Sequence, residues 1–123
     1  MWRKIVFNCV INPITAITGS TVGGIVDPNL APLKRLVIDE CLAVAAADGV
    51  TFDVDFMTLI DEVFASAATV ASTLQDLQKG RQTEIDHLNG AVVALGARYG
   101  IACPVNAALT TIIKQLEAQA RHG

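Results

Sequence analysis

The sequence predicts an all-α protein, a single helical-bundle-like domain of about six helices. Apolar residues recur at helical spacing along the chain, and no segment shows the alternation of a strand. The 123 residues, 52% of them hydrophobic, suit one domain with a sizeable core. Because only 17% of the residues are charged, we also expect an apolar face that contacts another domain or a second copy.

The first two helices are bounded by proline and glycine signals. The first is expected from about residue 1. Pro13 should kink or break it, because proline lacks the backbone N–H that a helix interior uses, and Gly19 should end it. The second is expected after Asn29, with Pro32 in its first turn and Gly49 closing it.

The second half of the chain predicts four further helices. Asp53 is the expected N-cap of the third, and a short fourth helix should stop at Gly80. A long fifth helix is expected from about Thr83 to Gly100, and Asn106 is expected to cap the last one. The final three residues should fray.

Several functional classes are disfavoured by composition. The net charge is −3 with Lys and Arg scattered, which argues against nucleic acid. The uncharged run 5–26 is interrupted by polar residues, proline and glycines, which argues against a membrane span. The glycines of 19–24 follow a helix and lack both phosphate-loop patterns, so loop geometry explains them better. The two histidines have no ligand-spaced companions, so no metal site is expected. Three dispersed cysteines indicate reduced, packed thiols in a cytoplasmic protein.

The most informative local feature is a polar stripe on the apolar first helix. Lys4, Asn8 and Asn12 are each four residues apart, so their side chains lie in one narrow line along the helix. The rest of that helix is hydrophobic and indicates a buried position. Because a buried ammonium and two carboxamides are costly without partners, either internal groups or a ligand must face them.

Simpler explanations exist for each candidate residue alone. Lys4 could extend to solvent from a helix end. Glu84 could interact favourably with the helix dipole as an acidic residue in the first turn of a helix, and Ser72 could be the N-cap of the short fourth helix.

Three ordered motifs then carry a family resemblance. The segment WRKIVFNCVINPITA (2–16) resembles the "WrKlvxNaxiNPlTal" helix of ketopantoate reductases (2-dehydropantoate 2-reductases). The segment STLQDLQKGRQTEIDHLNG (72–90) resembles that family's "SmxqDxxxGrxTEidxlnG", with Thr73 in place of a commoner methionine. GIACPVN (100–106) is similar to its closing "GixtPxN". Order and spacing agree over essentially the whole chain.

The resemblance implies both an activity and a set of site residues. Members of this family reduce 2-dehydropantoate to (R)-pantoate with NADPH, for pantothenate biosynthesis. Carried over by position, Lys4 is the catalytic lysine and Glu84 the glutamate beside it. Asn8 and Asn12 fall on substrate-contacting asparagines, and Ser72 falls on the serine that holds the end of the substrate.

The resemblance also implies what this chain lacks. Residues 1–123 match the C-terminal helical, substrate-binding domain, and the sequence contains no GxGxxG strand–turn–helix unit. We therefore expect the NADPH site mainly on an N-terminal Rossmann domain absent from this chain, and no activity from the chain alone. Two alternatives stay open: a non-catalytic helical dimerisation or interaction module, and a reductase of another 2-oxo acid. The choice between NADPH and NADH and the oligomeric state, including a homodimer, also stay open.

Overall fold

The computed structural model describes residues 1–122, which contain six α-helices and three short 3₁₀ turns. The helices are α1 (Trp2–Thr18), α2 (Ala31–Ala47), α3 (Phe56–Phe64), α4 (Ser72–Gln78), α5 (Asn89–Arg98) and α6 (Pro104–His122). The 3₁₀ turns are Val22–Val26, Pro28–Leu30 and Ile85–His87. No strand occurs in this part of the chain, so the predicted all-α fold of about six helices is confirmed. The final three residues were predicted to fray, but α6 continues to His122. Residue 123 lies outside the described range.

Helix α1 is the centre of the fold. It packs against α2, α4 and α6, and its side chains Val6, Cys9, Val10 and Ile14 are at most 1% exposed. Its predicted burial is therefore confirmed. The polar stripe is thus carried by a buried helix that packs against three others.

Of the two outcomes predicted at Pro13, a kink or a break, the break is wrong, because α1 runs through this residue without interruption for 17 residues. A proline at this position removes the N–H that would bond the carbonyl four residues earlier, that of Cys9. The structure replaces the missing donor, since Asn89 Nδ2 lies 3.0 Å from the Cys9 carbonyl oxygen and donates to it. A side chain 80 residues away therefore satisfies the group that proline leaves unpaired.

The helix ends mostly follow the predicted signals. Gly19 and Gly49, at the ends of α1 and α2, have φ of 67° and 88°, which are left-handed values that favour glycine. Pro32 lies in the first turn of α2 as expected. The N-cap of α3 is Asp55, whose Oδ1 accepts from the Met57 N–H at 3.0 Å, so the prediction of Asp53 is wrong.

The long fifth helix is also a wrong prediction, because the chain breaks before it. Residues Ile85–His87 form a 3₁₀ turn, and Leu88 has φ −113° and ψ −102°, outside the helical region. Helix α5 begins only at Asn89. At the start of α5 the fully buried Asn89 side chain donates to the Cys9 carbonyl oxygen and to Asn106 Oδ1. These tertiary hydrogen bonds outweigh the apolar periodicity that predicted one continuous helix.

Asn106 does not cap α6 as predicted. It lies inside the first turn, and the carboxylate of Glu40 on α2 accepts from the N–H groups of Val105 and Asn106 at 3.0 Å each. A carboxylate at a helix N-terminus satisfies unpaired N–H groups and complements the helix dipole. The Asn106 side chain is instead a buried link that donates to Glu40 and accepts from Asn89, both at 2.8 Å.

The remaining packing expectations concern cysteines and glycines. Cys9, Cys41 and Cys103 are buried and form no disulfide bond with one another, which confirms packed thiols. A hydrogen bond with Cys41 and burial raise the pKa of the Cys9 thiol. A Cβ on Gly23 would lie 2.8 Å from the Ala67 carbonyl oxygen, so close packing requires glycine there. Within residues 1–122, no helix is both long and apolar enough to cross a bilayer.

The first turn of α1 is tied to the end of α2 through Asp48. Its carboxylate accepts from Trp2 Nε1 at 3.0 Å and from the Tyr99 hydroxyl at 2.7 Å. Both bonds favour the ionised carboxylate, and that of Tyr99 contributes most to lowering the Asp48 pKa below its ordinary 3.8. These bonds therefore stabilise the fold above about pH 4, and their contribution is lost as the pH falls through the lower folded-state pKa.

We expect the fluorescence of Trp2, the only tryptophan, to change as Asp48 is protonated below about pH 4. An emission titration at acid pH measures the midpoint. In Asp48→Asn that transition should disappear, because an amide does not titrate. A midpoint that persists in this variant would assign the change to another carboxylate.

Candidate active site

The polar stripe of α1 runs from solvent into the core. Lys4 is exposed, Asn8 is half-buried and Asn12 is 9% exposed. None of the three side chains takes part in an ion pair or a hydrogen bond with another of residues 1–122. Within residues 1–122, Asn89 Oδ1 is the one side-chain polar atom that is both fully buried and without a hydrogen-bond partner. The unpartnered polar atoms of Asn12 are therefore not fully buried and remain accessible. Internal partners therefore do not account for the stripe.

The exposed end of the stripe lines a cleft of about 350 Å³. Its wall combines cationic, amide and aromatic groups: Met1, Arg3, Lys4, Phe7, Asn8 and Phe64. A primary amine and a carboxamide facing one cleft can both hydrogen-bond an oxygen-rich ligand, and the ammonium also favours an anion.

Ser72 begins α4, which packs beside α1. Its neighbour Ala71 is the N-cap residue and is buried in the same core cluster as the α1 side chains. The Ser72 side chain is exposed, and α4 has no side-chain cap bond, so the simple capping explanation is wrong. The hydroxyl is therefore available to a ligand.

Glu84 is exposed and lies just before the 3₁₀ turn Ile85–His87, not in the first turn of a long helix. Its backbone position is set by its buried neighbour Thr83. The Thr83 N–H and hydroxyl both donate to Glu117 Oε2 of α6, at 2.8 and 2.5 Å, and Thr83 Oγ1 accepts from the Ile85 N–H at 3.2 Å. Glu84 therefore projects from a turn that is hydrogen-bonded to α6.

Lys4 and Glu84 form no ion pair with each other. The ion pairs within residues 1–122 are Lys34–Asp61, Arg81–Asp76 and Lys114–Asp86. The expectation that the amine of Lys4 and the carboxylate of Glu84 share one cleft wall stays a prediction.

Sequence reasoning missed part of the cleft wall. Arg3 and Phe7 follow the helical i, i+4 spacing beside the stripe, so they could have been found from the helix pattern. Phe64 comes from the end of α3 and has no local signal, because only tertiary packing brings it to α1. Glu117 was missed for the same reason: it reaches Thr83 across 34 positions of sequence.

Replacing Glu117 by alanine should loosen the turn that carries Glu84. Two buried donors of Thr83 lose their acceptor, which should cost about 1–3 kcal/mol of unfolding free energy. Urea unfolding measures that loss, and hydrogen exchange should show faster exchange of the Thr83 amide. The exposed Glu62→Ala is the matched control and should change neither. Unchanged protection of the Thr83 amide would contradict the role of Glu117.

Comparison with known proteins decides the family. Residues 1–117 match the family description "Ketopantoate reductase PanE/ApbA C terminal". The chain belongs to the ketopantoate reductase family. Among curated relatives of the ketopantoate reductase family, the 2-dehydropantoate 2-reductase of Vibrio cholerae is 41% identical over an alignment of 121 residues that covers 95% of this chain and 40% of the relative. The chain thus spans about two-fifths of that relative's length.

Solved structures of similar proteins agree with this fold. The PanE/ApbA family ketopantoate reductase from Ralstonia eutropha JMP134 superposes with a TM-score of 0.89 at 35% identity, covering 99% of this chain and 42% of that one. D-mandelate dehydrogenase with NADH and anilino(oxo)acetate also gives 0.89, at 26% identity, covering 97% of this chain and 51% of that one.

The family motifs separate into two groups of residues in this structure. Thr83, Asn89 and Asn106 are buried and hydrogen-bonded within the domain, so the fold accounts for them. The other group consists of the five candidate site residues, Lys4, Asn8, Asn12, Ser72 and Glu84. Their side chains form no such bonds within residues 1–122.

Proposed function

We propose that this chain is the C-terminal, substrate-binding and catalytic domain of a 2-dehydropantoate 2-reductase, which reduces 2-dehydropantoate to (R)-pantoate. One observation carries the proposal. Thr83, Asn89 and Asn106 of the family motifs are hydrogen-bonded inside the domain. The side chains of the five candidate site residues are instead left without internal bonds in the described range: Lys4, Asn8, Asn12, Ser72 and Glu84.

The chemistry of Lys4 suits the reacting carbonyl. A reduced nicotinamide nucleotide supplies the hydride in this reaction. Negative charge then develops on the carbonyl oxygen, and the Lys4 ammonium stabilises that charge and donates the proton. The carboxylate of Glu84 favours the charged amine and orients it.

The remaining residues hold the acid. Asn8 and Asn12 offer donors and acceptors to the substrate hydroxyl, and the hydroxyl of Ser72 donates to its carboxylate. Lys4 and Asn12 are eight residues apart on one helix, about 12 Å along its axis, so the stripe can span a small acid.

The residues present fit the substrate side of a nucleotide-dependent site. The amine of Lys4 lies in a cleft that is open to solvent, and residues 1–122 contain no strand from which a dinucleotide-binding strand–turn–helix could be built. We propose that NADPH is held mainly by an N-terminal Rossmann domain, as in the sequence-based expectation.

The identity of the acid is the second part of the proposal. Similarity to 2-dehydropantoate 2-reductases supports 2-dehydropantoate, whereas similarity to D-mandelate dehydrogenase keeps other 2-oxo acids as the alternative. The non-catalytic helical dimerisation or interaction module stays an alternative.

A reconstituted enzyme tests the function. The chain alone should oxidise no NADPH in the presence of 2-dehydropantoate. Joined to the part of the Vibrio cholerae relative that this chain does not match, it should reduce 2-dehydropantoate. In that enzyme Asn12→Ala should raise KM about tenfold through loss of a substrate hydrogen bond. Asn29→Ala, at an exposed asparagine outside the site, is the control.

Two results would overturn the proposal. The first is turnover by the isolated chain. The second is a folded two-domain enzyme that reduces neither 2-dehydropantoate nor any other 2-oxo acid.

A further inference from the structure

The turn of α1 between Asn8 and Asn12 lacks one of its helical hydrogen bonds. Pro13 carries no N–H, so the carbonyl of Cys9 has no helical donor four residues ahead. Both candidate substrate asparagines belong to this weakened turn, since Asn8 directly precedes Cys9 and Asn12 directly precedes Pro13. The placement of their side chains therefore depends on what else holds the Cys9 peptide.

Asn89 supplies a donor to this turn from outside the helix. Its Nδ2 lies 3.0 Å from the Cys9 carbonyl oxygen and 2.8 Å from Asn106 Oδ1, and it donates to both. A carboxamide nitrogen has two N–H groups, so these two bonds use them fully. Asn106 is fixed in turn, because its side chain donates to Glu40 Oε1 of α2 at 2.8 Å. A chain of hydrogen bonds thus runs from α2 through the starts of α6 and α5 to the middle of α1.

The other polar atom of Asn89 distinguishes this residue from ordinary core packing. Asn89 is fully buried, and its Oδ1 has no hydrogen-bond partner within residues 1–122. A buried acceptor without a donor costs free energy, and an apolar side chain of the same shape would avoid that cost. The donors of Asn89 are therefore the part that the domain uses, and one of them acts on the turn that carries the stripe.

We infer that Asn89 is a positioning residue for substrate binding: it holds the Cys9 carbonyl and thereby fixes the turn of α1 that presents Asn8 and Asn12 to the acid. The inference rests on the proposed function and deepens it, because it adds a residue that acts on the same site from the core. Asn89 is fully buried and so acts through α1, without touching the acid. Lys4 precedes this turn, so the chemical step should be little affected.

Kinetics of the reconstituted two-domain enzyme test the inference. Asn89→Ala should raise KM for 2-dehydropantoate about tenfold, because both asparagines lose their alignment with the acid, and should leave kcat nearly unchanged. Asn89→Leu, which retains the volume of the side chain but has no donor, should give the same result. It supplies the measurement should the alanine variant fail to fold.

A second substitution separates positioning from stability. Pro13→Ala provides an N–H that can donate to the Cys9 carbonyl, so adding it to Asn89→Ala should return KM close to the wild-type value. The melting temperature should recover only in part, because Asn106 Oδ1 still lacks its donor from residue 89. Val44→Ala is the control for destabilisation, since Val44 is fully buried, has an apolar side chain and does not line the cleft. It should lower the melting temperature and leave KM unchanged.

NMR spectra of the isotope-labelled chain give a readout that needs no turnover. In Asn89→Ala the side-chain amide signals of Asn8 and Asn12 should shift, because the turn between them loses its external hydrogen bond. Adding Pro13→Ala should move both signals back towards their wild-type positions. The same signals should stay in place in Val44→Ala.

The outcomes distinguish this inference from the proposed function. An unchanged KM in the folded Asn89 variants, or a raised KM that Pro13→Ala does not restore, would overturn the positioning role while the proposed function stands. So would an effect of Val44→Ala on KM as large as that of Asn89→Ala, since general destabilisation would then explain it. A wild-type two-domain enzyme without turnover would overturn the proposed function instead, and the NMR signals of Asn8 and Asn12 would then decide whether Asn89 holds the turn.

Discussion

Lys4→Ala should lower the turnover of the two-domain enzyme by about 10²–10⁴-fold, because it removes the group proposed to stabilise the charge on the carbonyl oxygen and to donate the proton. The same change should leave the melting temperature nearly unchanged. Lys4 is exposed and has no ion-pair partner within residues 1–122, and surface substitutions of this kind are nearly neutral for stability.

Steady-state kinetics and thermal unfolding on the same preparations measure both effects. Lys79→Ala is the matched control, since Lys79 is also exposed and unpaired in the described range but lies at the end of α4, away from the cleft. It should retain full turnover. If Lys4→Ala instead unfolds the domain and leaves turnover per folded molecule intact, Lys4 is a structural residue.

Asn106→Ala should cause the largest loss of stability, about 3 kcal/mol or more of unfolding free energy. The Asn106 side chain is fully buried and links three helices. It accepts from Asn89 Nδ2 of α5 and donates to Glu40 Oε1 of α2, while its own backbone is in α6. Alanine would leave a cavity and weaken a network that also satisfies the Cys9 carbonyl beside Pro13.

Urea unfolding measures the free energy of unfolding of this variant and of the exposed Asn29→Ala. The comparison distinguishes the contribution of the buried network from the effect of replacing an asparagine in general. The control should fall within about 0.5 kcal/mol of the wild type. A loss below about 1 kcal/mol for Asn106→Ala would mean that Glu40, through its two backbone bonds to α6, holds the helices together without the asparagine.

Local rules predicted the parts of the fold that depend on backbone conformation. The apolar periodicity of α1, the left-handed Gly19 and Gly49, and Pro32 in a first turn all follow from the chemistry of single residues or of neighbours on one helix. The stripe of Lys4 and its two asparagines is of this kind too, because one helix and a four-residue spacing suffice to align it.

Local rules failed where a distant side chain supplies a partner. Pro13 is tolerated because Asn89 bonds the Cys9 carbonyl, and Asn106 is not a cap because Glu40 occupies that role. The helix expected from Thr83 breaks because Asn89 must point into the core. In each case a buried polar group needed a partner, and the cost of leaving it unpaired exceeded the local preference.

The all-α class, the apolar first helix and the polar stripe were predictable from the sequence, since each depends on the spacing of residues along one element. Two features required the folded structure: the stripe has no internal partners in the described range, and Phe64 of α3 completes the cleft wall. Hydrogen-bond partners and cavity shape depend on groups that are far apart in sequence, and no local periodicity encodes the distances between them.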